Sequence, residues 1–187
     1  AYITKVKNKK EISSNIIEIT FNGGLESLPD LKNDAFMYFI IHKNIDHNYP
    51  ENFVMQNFRE LNAKKDNPYS AAYYTIRTYR ENEIDVWFVL HDHPGPLANW
   101  AEKVTEDSEV AIWGPRSTFT PPEGTDNFLF IADETAQPAV LASIENLENK
   151  FNFKCLFETQ DESSQFECHD PNNCIEWIYR NNEPAGK

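Results

Sequence analysis

The apolar periodicity of this chain changes near residue 121, and that change limits it to a β domain followed by an α/β unit. Before the change, apolar and polar residues alternate with the period of two of a half-buried strand, as in Ile17, Ile19 and Phe21 against Glu18 and Thr20. Residues 36–41 form a nearly unbroken apolar run. Residues 73–79 and 84–90 repeat the strand pattern around Arg80-Glu81-Asn82-Glu83, which predicts a hairpin with Ile84, Val86, Phe88 and Leu90 facing the core. A further strand is expected over 109–113, before Gly114-Pro115-Arg116 turns the chain. After Pro121-Pro122-Glu123-Gly124 the order becomes strand (128–132), helix (135–150), strand (153–157). Such a βαβ unit opens a parallel sheet whose ligands sit beyond the carboxyl ends of the strands, here at Ala132-Asp133-Glu134-Thr135.

Between the strands, the polar, Asn-rich and Lys-rich stretch 42–70 is too long for an ordinary connection and reads as an excursion from the β domain. A short helix is expected over 96–103. With 187 residues, 40% of them hydrophobic, the chain can bury a core without covalent staples. A formal net charge of -13 argues against nucleic acid, because neutralising phosphates needs a basic face. The one basic run, Lys5, Lys7, Lys9 and Lys10, reads as a solvated edge. Three cysteines and no apolar leader point to a reducing compartment, so a cytoplasmic protein is expected. No stretch approaches the roughly 20 apolar residues of a membrane helix. Ala1 is not an initiator, so the chain reads as a trimmed version of a longer product.

Chemistry concentrates in two segments. Tyr73-Tyr74-Thr75-Ile76-Arg77 sets an aromatic ring beside a hydroxyl on one strand, a stacking face and a hydrogen bond for a planar heterocycle, with Arg77 suited to phosphate. Gly95-Pro96-Leu97-Ala98, after His91-Asp92-His93-Pro94, opens a helix whose N-H groups and dipole suit a pyrophosphate. His91 and His93 offer a pair of metal ligands, but two histidines at i and i+2 before a proline are more often loop residues. Cys155, Cys168, His169 and Cys174 are poorly spaced for zinc, and Cys155 falls in an apolar strand. No metal site is expected.

Taken in order, Tyr74-Thr75-Ile76-Arg77, Phe88-Val89-Leu90-His91, Gly95-Pro96 with Trp100-Ala101, Gly114-Pro115-Arg116, and Ala132-Asp133-Glu134-Thr135-Ala136 with Pro138-Ala139 resemble the siderophore-interacting proteins, a branch of the ferredoxin reductase superfamily. The resemblance implies a six-stranded antiparallel Greek-key β-barrel holding FAD over residues 1–123, then an NAD(P)H-binding α/β domain over 124–187. It implies that Tyr74 and Thr75 meet the isoalloxazine, Arg77 the FAD phosphates, and His91 with Gly95, Pro96, Leu97 and Ala98 the pyrophosphate. Ile76 and Trp100 complete the barrel's cofactor-binding set, while Asp133, Glu134, Thr135 and Ala136 are expected in the cleft where nicotinamide meets flavin.

The implied activity is that of a ferric-siderophore reductase, with NAD(P)H as donor, a ferric siderophore or other ferric chelate as partner, and a monomeric protein. No catalytic side chain is expected, because the flavin carries the chemistry. The sequence departs from the family pattern in three places. Ala72 stands where the family has an arginine, with Arg59, Lys64 and Lys65 as nearby substitutes; Gln137 stands at a usually apolar position; and the chain ends at Lys187, soon after a strand at 175–180, so the α/β domain reads as C-terminally truncated. A flavin- or siderophore-binding module without a complete nicotinamide half is the alternative.

Overall fold

A computed structural model describes all residues except 32–33, 51, 54, 65, 92–93, 147–150, 167–173, 182, 185 and 187, and the side chains of 55–57, 61, 146 and 174. Six strands, β1 (Tyr2–Ser13), β2 (Ile16–Asn22), β3 (Phe36–His42), β4 (Tyr69–Arg80), β5 (Glu83–Val89) and β6 (Glu109–Arg116), close into a barrel in the order β1-β2-β5-β4-β3-β6. Every neighbouring pair is antiparallel. The expected alternation holds: Ile19, Phe21, Phe39, Ile84, Val86 and Phe88 are fully buried inside. The ring centroids of Phe21, Phe39 and Phe88 lie 5.5–6.5 Å apart. At the β4–β5 turn both Glu81 and Asn82 adopt positive φ, the twist that a two-residue hairpin favours.

The structure adds detail to the lysine run and the excursion and corrects the expected turn at residues 114–116. The lysine run lies on an exposed stretch of β1, which pairs with β2 along most of its length but with β6 only over Tyr2–Lys5. Its lysines have partners: Lys7 pairs with Glu83, and Lys9 Nζ donates to the carbonyls of Glu102 and Val104 at 2.9 and 3.0 Å. Those carbonyls end the helix α2 (Pro96–Lys103; helices are numbered in chain order), so a cation sits at its negative pole. Gly114-Pro115-Arg116 is not a turn, since β6 runs on to Arg116 with a bulge against β3. Gly114 there has φ of 144°, and a Cβ would lie 3.3 Å from the Phe36 carbonyl oxygen. Finally, the excursion after β3 carries the helix α1 (Met55–Asn62) and packs Tyr49, Phe53 and Phe58 on the outside of the barrel over Ile40 and Ala111.

Asp85 on β5 is buried and accepts hydrogen bonds from Thr20, Thr78 and Arg80. Burial alone would raise its carboxyl, but the bonds from Arg80, Thr78 and Thr20 outweigh that and hold it below the usual carboxylate range. A lowered folded-state value stabilises the fold at neutral pH, and the contribution is lost as pH falls from about 3.9 through that value. Asp85→Asn is therefore expected to cost about 1–3 kcal/mol at pH 7. In urea unfolding, its deficit against wild type should narrow below about pH 4; a deficit that stays constant to pH 2.5 would contradict this.

The remaining elements are β7 (Asn127–Asp133), α3 (Gln137–Asn146), β8 (Asn152–Thr159), a single 3-10 turn (Glu162–Ser164) and β9 (Cys174–Tyr179). The strands form a parallel sheet in the order β7-β8-β9. Helix α3 is a wedge: Val140 packs on Phe153, Cys155 and Phe157 of the sheet, while Leu141 packs on Trp87 and Val89 of the barrel. Strand β5 is thus buried on both faces, which its alternation did not suggest. The opposite sheet face exposes Leu129 and Ile131. Asp34 clamps the linker between the two parts, accepting from the backbone N-H groups of Thr118 and Phe119 at 2.9 Å and from Ser117 and Thr118 hydroxyls. Beyond that clamp, Phe119 packs edge-on to Phe128 and Phe130. No described helix is long and apolar enough to cross a membrane.

Candidate functional site

Where α3 meets the barrel, a cleft of about 420 Å³ opens between β4, the start of α2 and the start of α3. Strand β4 contributes Ser70, Ala71, Ala72, Tyr73, Tyr74 and Thr75, and β5 contributes Trp87 and Val89. His91, Gly95, Pro96, Leu97 and Ala98 line it from the α2 side, and Thr135 and Pro138 close it from α3. The Tyr74 ring packs against Phe88 and Phe39, at centroid distances of 4.4 and 5.9 Å. Burial pushes its hydroxyl up to about 12, so it remains a neutral donor at physiological pH. Tyr73 points outward, half exposed, with its ring against Tyr38 and Phe36.

Helix α2 begins at Gly95, whose extended φ of -67° and ψ of 172° make it the N-cap. Having no side chain, it leaves the first-turn N-H groups without a side-chain acceptor. A Cβ at Gly95 would meet no atom within 4 Å, so the space in front of this helix end is open. Pro96 occupies the first helical position, where its missing N-H costs nothing, and Leu97 and Ala98 follow.

The structure brings together Tyr74, Thr75, His91, Gly95, Pro96, Leu97, Ala98 and Thr135, and it places the other expected residues elsewhere. Ile76 and Trp100 are barrel core, 4% and 6% exposed, and Trp100 stacks on Phe21. Arg77 faces α3 rather than the cleft: its guanidinium makes a fork to Glu145 at 2.7 and 2.5 Å and lies 5.4 Å from the centre of the Trp87 ring. Glu134 turns inward to Arg180, at 2.6 and 2.9 Å, and also accepts from Asn15 and from the Gln160 backbone. Asp133 caps the turn into α3, accepting from Thr135 N and Oγ1 and from Ala136 N, at 2.9, 2.6 and 3.2 Å. The usually apolar position at Gln137 is fully buried, its side chain donating to the Ser164 carbonyl.

The expectations for Asp92, His93, Cys168 and His169 lie outside the described residues. Among the described residues no group of three or more histidines, cysteines or acids is placed to hold a metal. The sequence did not single out Ser70, Ala71 or Trp87, whose only signal is an outward position on a strand that another element then covers, and Val89 and Pro138 stand only within matched segments, with no site role.

Residues 5–119 match the siderophore-interacting FAD-binding domain, and residues 125–187 match the siderophore-interacting protein family. The chain belongs to the siderophore-interacting protein family. Among curated relatives, ferric vibriobactin reductase ViuB of Vibrio cholerae is 26% identical over 184 residues, covering 95% of this chain and 66% of its own length. The NADPH-dependent ferric-chelate reductase of Escherichia coli is 26% identical over 115 residues, 59% of this chain and 45% of that protein. A siderophore utilization protein from T. fusca superposes with a TM-score of 0.79 at 24% identity, over 97% of this chain and 70% of that one. The chain thus spans about two thirds of the length of ViuB.

FAD-binding by a siderophore-interacting protein requires a flat apolar wall for the ring system and donors for the phosphates. The cleft supplies both: Tyr74 and Thr75 on one wall, and the uncapped N-terminus of α2 at Gly95 on the other. The residues present fit the cofactor.

Proposed function

We propose that this chain acts as a flavin-dependent ferric-siderophore reductase, with electrons passing from NAD(P)H through FAD to chelated Fe(III) and iron released as Fe(II). The observation that carries this reading is the meeting of Tyr74, Thr75, the uncapped α2 N-terminus and Thr135 in one cleft at the junction of barrel and α/β part. The names of the curated ferric reductases it resembles support the same reading. FAD supplies the conversion of a two-electron hydride donor into one-electron steps. The protein's own contribution is position: Thr75 offers a hydroxyl beside the ring system, Tyr74 a neutral donor, and the first-turn N-H groups of α2 hold the pyrophosphate. Thr135 and Pro138 narrow the side from which nicotinamide approaches.

In this reading residues 1–123 hold FAD and 124–187 belong to the nicotinamide-binding domain, and the protein works as a cytoplasmic monomer. Arg77 serves the junction with α3 rather than the phosphates. Arg77→Met is expected to keep FAD affinity within about threefold, whereas loss of a fork to phosphate would cost far more, on the order of thirtyfold. Titration of the two proteins with FAD separates these outcomes.

The activity is tested by loading the chain with FAD, mixing it anaerobically with NADH or NADPH, and following flavin bleaching, then adding a ferric siderophore with a ferrous trap. Bleaching followed by recolouring and trapped Fe(II) is expected. Flavin that stays oxidised would instead favour a flavin- or siderophore-binding module.

A further inference from the structure

We propose that the stacked imidazoles of His42 and His47 form an acid-sensitive catch, which holds the start of the excursion on the barrel while at least one ring is neutral and releases it when both are protonated. His42 ends β3 opposite Tyr69 of β4, and the chain then bends back, so that the His47 ring lies nearly parallel to it, with centroids 3.9 Å apart and 18° between the planes. Two hydrogen bonds set that bend: the Asn44 N-H donates to His42 Nδ1 at 3.0 Å, and the Asp46 N-H donates to Asn44 Oδ1 at 3.2 Å. The first needs the Nδ1 lone pair, so neutral His42 carries its proton on Nε2. A second proton, on Nδ1, breaks that bond and leaves only the Asn44 carbonyl, at 3.3 Å, to receive it. Tyr69 flanks both rings, at 5.0 and 5.8 Å, and its hydroxyl lies 3.2 Å from His47 Nε2. Strand β4 runs from Tyr69 directly into Ser70, Ala71 and Ala72 of the cleft wall, so the catch adjoins the cleft.

The charges around the pair do not offset a double protonation. Lys43 follows His42 and, with Lys103 of α2, lines a cavity that His42 also borders, which adds positive charge. Tyr69 and Tyr49, whose ring lies 5.0 Å from His47, are held neutral because burial raises both hydroxyls. On the excursion itself Asp46 is exposed to solvent. Glu109 of β6 attracts a charge on His47, but it already accepts from the Tyr49 N-H at 2.9 Å and lies 3.9 Å from Lys5 of β1. Among the described residues neither imidazole forms an ion pair with a carboxylate. Burial, and then His42, push the His47 imidazole below its ordinary value, and Glu109 offsets this only in part. Above about pH 6.5 His47 is neutral whether held or released, and the catch has its full strength. As pH falls below that value the released form takes up a proton that the stack resists, and the balance moves toward release. Tyr49 and Phe53, packed over Ile40 and Ala111, are the side chains the catch keeps seated.

The test is backbone amide hydrogen exchange of the flavin-free chain at about pH 7.5 and about pH 5.0, corrected for the intrinsic pH dependence of exchange, in wild type, His47→Phe and His42→Phe. The amides to follow are those of Lys43, His47 and Tyr49, which are hydrogen-bonded to the Pro68 carbonyl, the Asn44 carbonyl and the Glu109 carboxylate. On acidification wild type should lose about tenfold or more of their protection, while the amides of β5 change by less than about twofold. Either phenylalanine variant keeps a ring in the stack but cannot carry two charges there, so its protection at the same amides should change by less than about threefold. Wild-type protection that persists at the lower pH, a loss shared equally by β5, or an equal loss in either folded variant would overturn the catch. Because no flavin is present, none of these outcomes bears on the FAD reading of the cleft.

Discussion

Gly95→Asp is expected to abolish tight FAD binding while leaving the protein folded and as stable as wild type within a few tenths of a kcal/mol. Aspartate is a good N-cap, and its carboxylate would accept from the first-turn N-H groups that Gly95 leaves without a side-chain acceptor. The space is available, since nothing lies within 4 Å of a Cβ built there. The same carboxylate would stand where the pyrophosphate has to sit, taking its donors and repelling its charge. Like charges about 4 Å apart near a protein surface cost roughly 3–4 kcal/mol, a loss on the order of a few hundredfold in affinity. Thermal melting without flavin and titration with FAD read the two effects separately. A variant that binds FAD as wild type does would move the phosphates away from α2.

Arg180→Met is expected to destabilise the fold by about 3–5 kcal/mol, the cost of leaving a buried carboxylate without its cation. The Glu134 and Arg180 side chains are 3% and 11% exposed, so little solvent screens what remains. Glu134 would then face only neutral donors, Asn15 and the Gln160 N-H. For a chain of this size the melting temperature should fall by about 10 °C. Glu134→Leu combined with Arg180→Met should recover much of the loss, because a neutral pair leaves no buried charge. If the single variant melts within about 2 °C of wild type, the pair is not the tie that its burial indicates. Asn15 belongs to the turn between β1 and β2, so this cluster also fastens the α/β part to the barrel.

The barrel was legible wherever one strand face is apolar and the other polar, as in β2 and in the hairpin of β4 and β5. Strand β1 was not, because inward-facing Thr4 and Val6 are its only fully buried positions and residues 7–11 are exposed without alternation. The site followed the same division. Tyr74, Thr75 and Gly95 could be picked out because their chemistry is local: a ring beside a hydroxyl, a glycine before a helical proline. Trp87 and Val89 could not, since their outward positions read as solvent until α3 covers them. For Arg77 and Glu134 the resemblance implies a place at the cofactor. What they meet is decided by tertiary packing with Glu145 and Arg180, 68 and 46 residues away, and no local pattern carries that information.

The central claim, that this chain holds FAD in the cleft between β4 and α2, is tested most directly by reconstitution. Purified protein freed of any flavin is mixed with excess FAD, passed through a desalting column, and its absorption spectrum recorded. The cleft predicts a yellow protein carrying one FAD per chain, with the flavin lost from Gly95→Asp. A colourless wild-type protein that does not take up FAD would contradict it.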